Sequence, residues 1–447
     1  MDKVREEAVK CLYKIEKENA YSNIILDKTI KNNQKKFNNR DIGLITELVY
    51  GVTNWKLTID EIIKKHSKIK LKKISPWIMN ILRTGIYQII FLDKIPKSAA
   101  VNESVNLAKK YGHKGSSSFV NAILRKVDKQ DLKELYNIED NIQKISKTTS
   151  MPEWIVKELL KEKTLDEVNE ICKNSNLKPN LTIRVNTLKI NEQELEEKLK
   201  QNEIQFNKTE IKNFLTIKNV KQIEKIDLFK GGLFTVQDLS AGLVANVLSP
   251  KENETVLDCC SAPGGKTTHL AEMMQNKGYI EAWDIHEHRV NLVNQNAKRL
   301  GIKNIKTKIK DATQFDKNLI EKYDKLLLDV PCLGLGVIKH KPDIKWQRKY
   351  EDIQKISEIQ YKILEICSQY LKKGGELVYS TCSILKEENQ DIIEKFLKQN
   401  QEFQYGNYKE IPNYEQIKKF IIKDQYLSIN VSKEYDGFFI CKLKRKI

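Results

Sequence analysis

Residues 254–275 read ETVLDCCSAPGGKTTHLAEMMQ: an apolar strand, a turn of small residues, then a helical pattern with apolar side chains at three and four spacing. The end of the turn, Gly265-Lys266-Thr267, matches the end of a nucleoside-triphosphate phosphate loop. Such a loop also needs an earlier glycine, because its amides must wrap the phosphate oxygens. That position is Cys260, and Pro263 in between has no amide hydrogen to give. The wrap is incomplete. What remains is a strand-turn-helix whose small residues, Ser261, Ala262, Gly264 and Gly265, let a ligand approach the backbone closely.

The strands that follow indicate the ligand. Asp258 closes the first strand, and YIEAWD puts Asp284 at the end of the next, where a carboxylate accepts from ribose hydroxyls. IKTKIKD ends in Asp311, near where an adenine would lie. Each acid alone could cap a helix. Together, with no magnesium-type motif, they fit a nucleoside without a triphosphate. S-adenosylmethionine fits best, and no metal is expected.

LLLDVPCLGLG (326–336) follows the fourth strand and LVYSTCS (377–383) the fifth, so Asp329, Cys332 and Cys382 should converge on the rim that carries the turn. Carbon 5 of a pyrimidine is a poor nucleophile. A thiolate adding to carbon 6 makes an enamine whose carbon 5 attacks a sulfonium methyl, and loss of the carbon 5 proton then expels the thiol. This chemistry needs a nucleophilic cysteine, an acid to hold the base and a group that assists release. Spacing leaves open which cysteine attacks. Amino-directed methyltransferases usually carry Asp/Asn-Pro-Pro-aromatic at the fourth strand, and DVPC lacks the second proline and the aromatic. Cys367 and Cys441 read as core filler.

Lys and Arg exceed Asp and Glu by 78 to 60, a formal charge of +18, which points to an anionic partner, nucleic acid before others. KIKLKK (68–73) and KLKRKI (442–447) read as solvated basic stretches with a diffuse hold on phosphates. The eight cysteines show no Cys-x-x-Cys pair, so reduced thiols are expected rather than a disulfide framework or a zinc ribbon. No apolar run approaches the ~20 residues of a membrane span. MDKVREEAVKCLYKIEKENA reads as an amphipathic helix rather than a secretory signal, and a cytoplasmic location is expected.

The chain of 447 residues divides into three by pattern. Residues 1–145 carry helical periodicity throughout and predict an all-α bundle. Residues 146–235 hold a helix, then LTIRVNTLKI, NEQELEEKLKQN and FLTIKNV, a small basic α/β unit. Residues 236–447 alternate apolar strands with long helices, the pattern of a doubly wound, mostly parallel sheet with ligand sites at the strands' carboxyl ends.

DCCSAPGGKTTHLAE, AWDIHEHRV, DVPCLGLGVIKHKPDIKW and LVYSTCSILKEEN resemble, in order, the motifs of the RNA cytosine-5 methyltransferases of the NOL/NOP/Sun group. NRDIGLITELVYGV and AAVNESVNLAKKYGHKGSSSFVNAILRKV are similar to the NusB-like RNA-binding domain carried by the branch that acts on bacterial small-subunit rRNA. The resemblance covers essentially the whole chain. It implies a NusB-like bundle, a ferredoxin- or RRM-like middle unit and a Rossmann-like class I methyltransferase. It implies Cys382 as nucleophile, Cys332 in product release and Asp329 on cofactor or base. Cys260 through Lys266 would line the cofactor, with Lys266 stabilising rather than catalysing, and Asp284 and Asp311 would hold ribose and adenine. The substrate implied is a position-967-type cytosine of 16S rRNA, methylated by a monomer before full subunit assembly. The alternatives are the same chemistry on tRNA or large-subunit rRNA, or a NusB-like assembly protein with an inactive methyltransferase fold. Two departures stand out. Leu333 replaces a small hydroxyl residue after Cys332, which puts the local positioning of that cysteine in question. KHKPDIKW also lacks the usual arginine-rich start, and Lys339 and His340 keep donors but lack arginine's planar fork.

Overall fold

Apolar residues at three and four spacing form helices Lys3–Glu18, Asn39–Asn54 and Pro76–Phe91, and local chemistry sets where each begins. The Asp2 carboxylate accepts from the amides of Val4 and Arg5, Asn38 and Asp41 form a reciprocal capping box, and Ser75 caps a helix whose first residue is Pro76. The computed structural model describes residues 2–33, 36–220 and 222–447, so Met1 of the N-terminal helical stretch lies outside the described residues. Ile45, Leu48, Val49, Ile59, Ile81 and Leu82 are fully buried in one core. At Gly51 an added Cβ would lie 2.0 Å from the Tyr87 ring, so glycine there lets two helices close.

This helical unit does not stop near 145. Helices Asn141–Thr149, Glu153–Leu159 and Leu165–Asn174 pack with it, and the compact unit runs to Asn176. It also takes in Ile338–Tyr350, a strap that in the chain directly follows the loop carrying Cys332. Polar groups rather than periodicity hold the strap. Asp343 accepts from the amide and hydroxyl of Ser22, and the Trp346 indole donates to the carbonyl of Thr53 at 2.6 Å. Lys345, 1% exposed, donates to the carbonyl of Asn54 at 3.1 Å, to its Oδ1 at 2.8 Å and to Asn176 Oδ1 at 2.5 Å. None of these acceptors is a carboxylate, and burial pushes the Lys345 amine down to about 7.

The second unit, Leu177–Val337 with Glu351–Ile447, holds two sheets. Strands β1 (Leu181–Val185), β2 (Gln205–Lys208), β3 (Phe214–Lys218) and β4 (Phe234–Val236) form an antiparallel sheet in the order β2-β3-β1-β4. The larger sheet comprises β5 (Thr255–Asp258), β6 (Tyr279–Asp284), β7 (Ile305–Ile309), β8 (Tyr323–Asp329), β9 (Leu371–Thr381), β10 (Phe403–Tyr405), β11 (Ile421–Ile422), β12 (Tyr426–Ile429) and β13 (Phe438–Arg445). Its order is β11-β12-β13-β9-β8-β5-β6-β7, with β10 beside β13. The five strands from β5 to β9 pair in parallel, as the alternating strand and helix pattern implies, while β13 runs antiparallel to β9. The chain leaves β5 toward β6 and β7 and returns on the other side at β8, which makes the carboxyl end of β5 a topological switch point. Among the described residues no helix is long and apolar enough to cross a membrane.

The strap carries a pH signature. A buried amine whose folded pKa, about 7, lies below its ordinary value adds stability above the unfolded pKa, and that stability is lost as pH falls toward 7. The melting temperature of the wild type should therefore rise relative to that of Lys345→Met between pH 7 and 9.5 in thermal unfolding. A difference that stays constant across that range would show that Lys345 keeps an ordinary pKa.

Candidate active site

Asp258 ends β5 and the chain turns at once into helix Gly265–Met273. Gly264 sits at φ +100°, a backbone region that side chains disfavour, and an added Cβ would reach within 3.1 Å of Val293 Cα. The turn is fastened from outside. The amide and hydroxyl of Ser261 both donate to the Trp283 carbonyl at 2.8 and 2.9 Å, Arg289 donates to the carbonyl of Ala262, and Asn296 to that of Pro263. Asp258 itself is 1% exposed and lies beneath the turn, taking the hydroxyl of Thr267 at 2.7 Å and the amide of Cys260 at 3.4 Å. Burial pushes its carboxyl up to about 7 against the Thr267 bond, with the nearby Asp329 charge adding to the rise.

The other strand-end acids sit where the pattern puts them. Asp284 ends β6, accepts from the His286 amide at 3.0 Å and lies 3.5 Å from Arg289. Asp311, two residues past β7, takes the amide and hydroxyl of Thr313, both at 2.8 Å. Burial opposes ionisation of Asp311, yet these bonds outweigh it and hold the carboxyl below its ordinary value. Asp329 ends β8, with one oxygen on the Lys266 amine at 2.7 Å and the other on the Ser380 hydroxyl at 2.9 Å. Burial works against the Lys266 charge, but Asp329 more than offsets it and the amine is raised.

The structure brings Cys332 and Cys382 together, their sulfurs 2.9 Å apart, at the ends of adjacent strands β8 and β9. The contact with Cys382, and burial after it, raise the Cys332 thiol well above its usual value, so Cys332 holds its proton. The two loops are stitched by backbone. The Gly336 amide donates to the Cys382 carbonyl at 2.9 Å, and the Gly437 amide to the Gly336 carbonyl at 2.9 Å. At Leu333 the backbone anchors the loop: its amide donates to Glu388 Oε2 at 2.9 Å, and Glu388, fully buried, also takes Gln360 at 3.0 Å and the Ser383 hydroxyl. Cys259 is buried, Cys260 is partly exposed, and burial raises both thiols well above the usual value, which suits lining rather than attack.

Several residues that shape the site escape a reading by motif. Thr267, Ser380 and Glu388 lie inside the quoted motifs, but nothing in the pattern says whom they bind. Arg184 had a signal, a charge in the apolar strand β1. Its guanidinium, 1% exposed, forks onto Glu272 at 3.0 and 2.8 Å and donates to the Gly265 carbonyl at 2.9 Å, so the small sheet grips the first turn of the site helix.

Three family models match the chain: one described as 16S rRNA methyltransferase RsmB/F over residues 245–444, the NusB family over 2–129, and the ferredoxin-like domain of RsmF/B-like methyltransferases over 151–224. A probable ribosomal RNA small subunit methyltransferase B of Bacillus subtilis is 38% identical over 445 residues, 99% of each chain. Another from Synechocystis is 32% identical over 450 residues, 100% of each. Among solved structures, PH0851 superposes with a TM-score of 0.77 at 25% identity over 98% of each chain. A methyltransferase homolog from Pyrococcus horikoshii gives 0.59 at 28% identity, covering 69% of this chain and 100% of its own.

Removing Arg184 leaves Glu272 buried without a partner. Arg184→Met should lose about 3–5 kcal/mol of stability in denaturant unfolding, and Arg184→Met/Glu272→Met should recover most of it. A double variant no more stable than the single one would show that the pair matters only as packing.

Proposed function

The chain belongs to the RsmB/F family of 16S rRNA methyltransferases, which use S-adenosylmethionine, and we propose that it methylates carbon 5 of one cytosine, a position-967-type site, through a covalent adduct on Cys382. The observation that carries this reading is the pair of thiols 2.9 Å apart at adjacent strand ends, flanked by an acid fixed on both oxygens.

The residues at the rim suit the methyl donor. Asp284 and Asp311 offer carboxylate oxygens for ribose and adenine, Ile285, 54% exposed, offers apolar surface beside them, and the turn from Cys260 to Lys266 brings backbone close. When bound, S-adenosylmethionine supplies an electrophilic methyl group. Cys382 gives up its proton to solvent water and its sulfur bonds to carbon 6, so the former double-bond electrons make carbon 5 nucleophilic. Once carbon 5 carries the methyl group, transfer of its proton to a water molecule restores the double bond and breaks the bond between sulfur and carbon 6. Cys332, which holds its proton, serves release, where a donor 2.9 Å from the departing sulfur lowers the cost of its negative charge. Asp329, oriented by Lys266 and Ser380, accepts from the amino edge of the base. A cytosine stacked within rRNA must swing out to reach Cys382, and the helical unit and the small sheet hold the surrounding RNA. We place the enzyme in the cytoplasm, acting as a monomer on rRNA before subunit assembly is complete.

Cys382→Ala should abolish methyl transfer, while Cys332→Ala should accumulate a protein-RNA adduct that survives denaturing gels. Full activity in Cys382→Ala would rule the mechanism out. Bisulfite sequencing of rRNA from a deletion strain should show one methylcytosine lost from 16S rRNA. A loss in tRNA or 23S rRNA would reassign the substrate.

A further inference from the structure

On the side of helix Gly265–Met273 away from Asp258 lies a cavity of ≈ 280 Å³, walled by β1, by helix Leu239–Leu248 and by the loop at Asn413. Two of its lining side chains, His269 and Asn246, are largely buried polar groups. His269 is 7% exposed, its Nδ1 occluded and unbonded, and Asn246 is 5% exposed. An occluded polar atom left bare costs about 1–3 kcal/mol, and His269 carries one in the wall of this cavity. The cavity far exceeds the ~30 Å³ share of one water and lies at the small end of ligand pockets.

The chemistry of the lining selects the occupant. Burial, and then the charge of Arg184, hold His269 well below its ordinary pKa, so its ring is neutral and presents one donor and one acceptor. Asn246 presents the same pair on an amide. Arg184 is already engaged by Glu272, whose negative charge beside the cavity disfavours a bare anion. Val185 and Met273 supply apolar walls, and Lys212 supplies an exposed cation on the lining. A flat heterocycle with mixed donors and acceptors on its edge, joined to a single phosphate, meets all of these demands.

We propose that this cavity binds one nucleotide, its base on His269 and Asn246 and its phosphate toward Lys212. The proposal rests on the reading of the chain as an RNA methyltransferase only for its preferred source, an unpaired nucleotide of the rRNA near the target; the shared chemistry also admits a free nucleoside monophosphate. Because His269 lies on the helix that follows the cofactor turn, an occupant would bear on the element that carries Lys266.

The test compares the full-length wild type with Asn246→Leu and His269→Phe, which fill the cavity with apolar atoms, with S-adenosylmethionine affinity as the check that the fold is kept. If the source is rRNA, the KM for transcribed 16S rRNA rises about tenfold in each variant, the loss of roughly one hydrogen bond. If the source is a free nucleotide, calorimetry with CMP, UMP, AMP and GMP shows binding to the wild type that both variants lose, with the KM for RNA unmoved. If neither quantity changes, the cavity holds only water and the proposal is overturned. Filter retention of transcribed 16S rRNA and calorimetry with nucleotides both read binding without catalysis, so an inactive wild type would sink the methyltransferase mechanism and leave this test standing.

Discussion

The Asp329 carboxylate joins three elements that the chain delivers separately. One oxygen takes Lys266 from the helix after the glycine turn and the other takes Ser380 from β9, while Asp329 itself ends β8. Each partner is fixed in turn. Lys266 rides on a helix whose first carbonyl is gripped by Arg184, and Ser380 lies two residues before Cys382 in a strand paired on both sides. The ion pair is largely sheltered, so its attraction is little screened and acts as a fixed strut rather than a surface contact. Turn, acid and thiols are thereby held at one rim.

Much of this was legible in the sequence because it is written in local terms. Strand and helix periodicity, the acids at strand ends and the small-residue turn are features a window of ten or so residues contains, and the parallel order from β5 to β9 follows from their alternation. The failure of the phosphate-loop reading at Cys260 and Pro263 was equally local. Which thiol attacks was not legible, because it depends on how two loops meet. The anchoring of Leu333 by Glu388 joins residues 55 apart through a backbone amide, which carries no side-chain signature.

The compact helical unit continues past 145 for a related reason. Just past 145, Ser146, Thr148, Thr149 and Ser150 are polar yet buried, their hydroxyls spent on backbone. A polar run is a linker only if water solvates it. Within KHKPDIKW, Asp343, Lys345 and Trp346 likewise spend their polar groups internally, on Ser22, Asn54, Asn176 and Thr53.

That strap bears on how such a chain evolves. A helical domain and a methyltransferase joined by a simple linker exchange partners freely, since each half brings its own core. Here the gene segment encoding the catalytic half also encodes a buried piece of the other half. Recombination at the junction near 177 would strand Lys345 without the oxygens of Asn54 and Asn176 unless the incoming domain supplied equivalents. A chain that keeps this strap thus keeps Asn54, Asn176 and Lys345 matched to one another, at positions far from the chemistry.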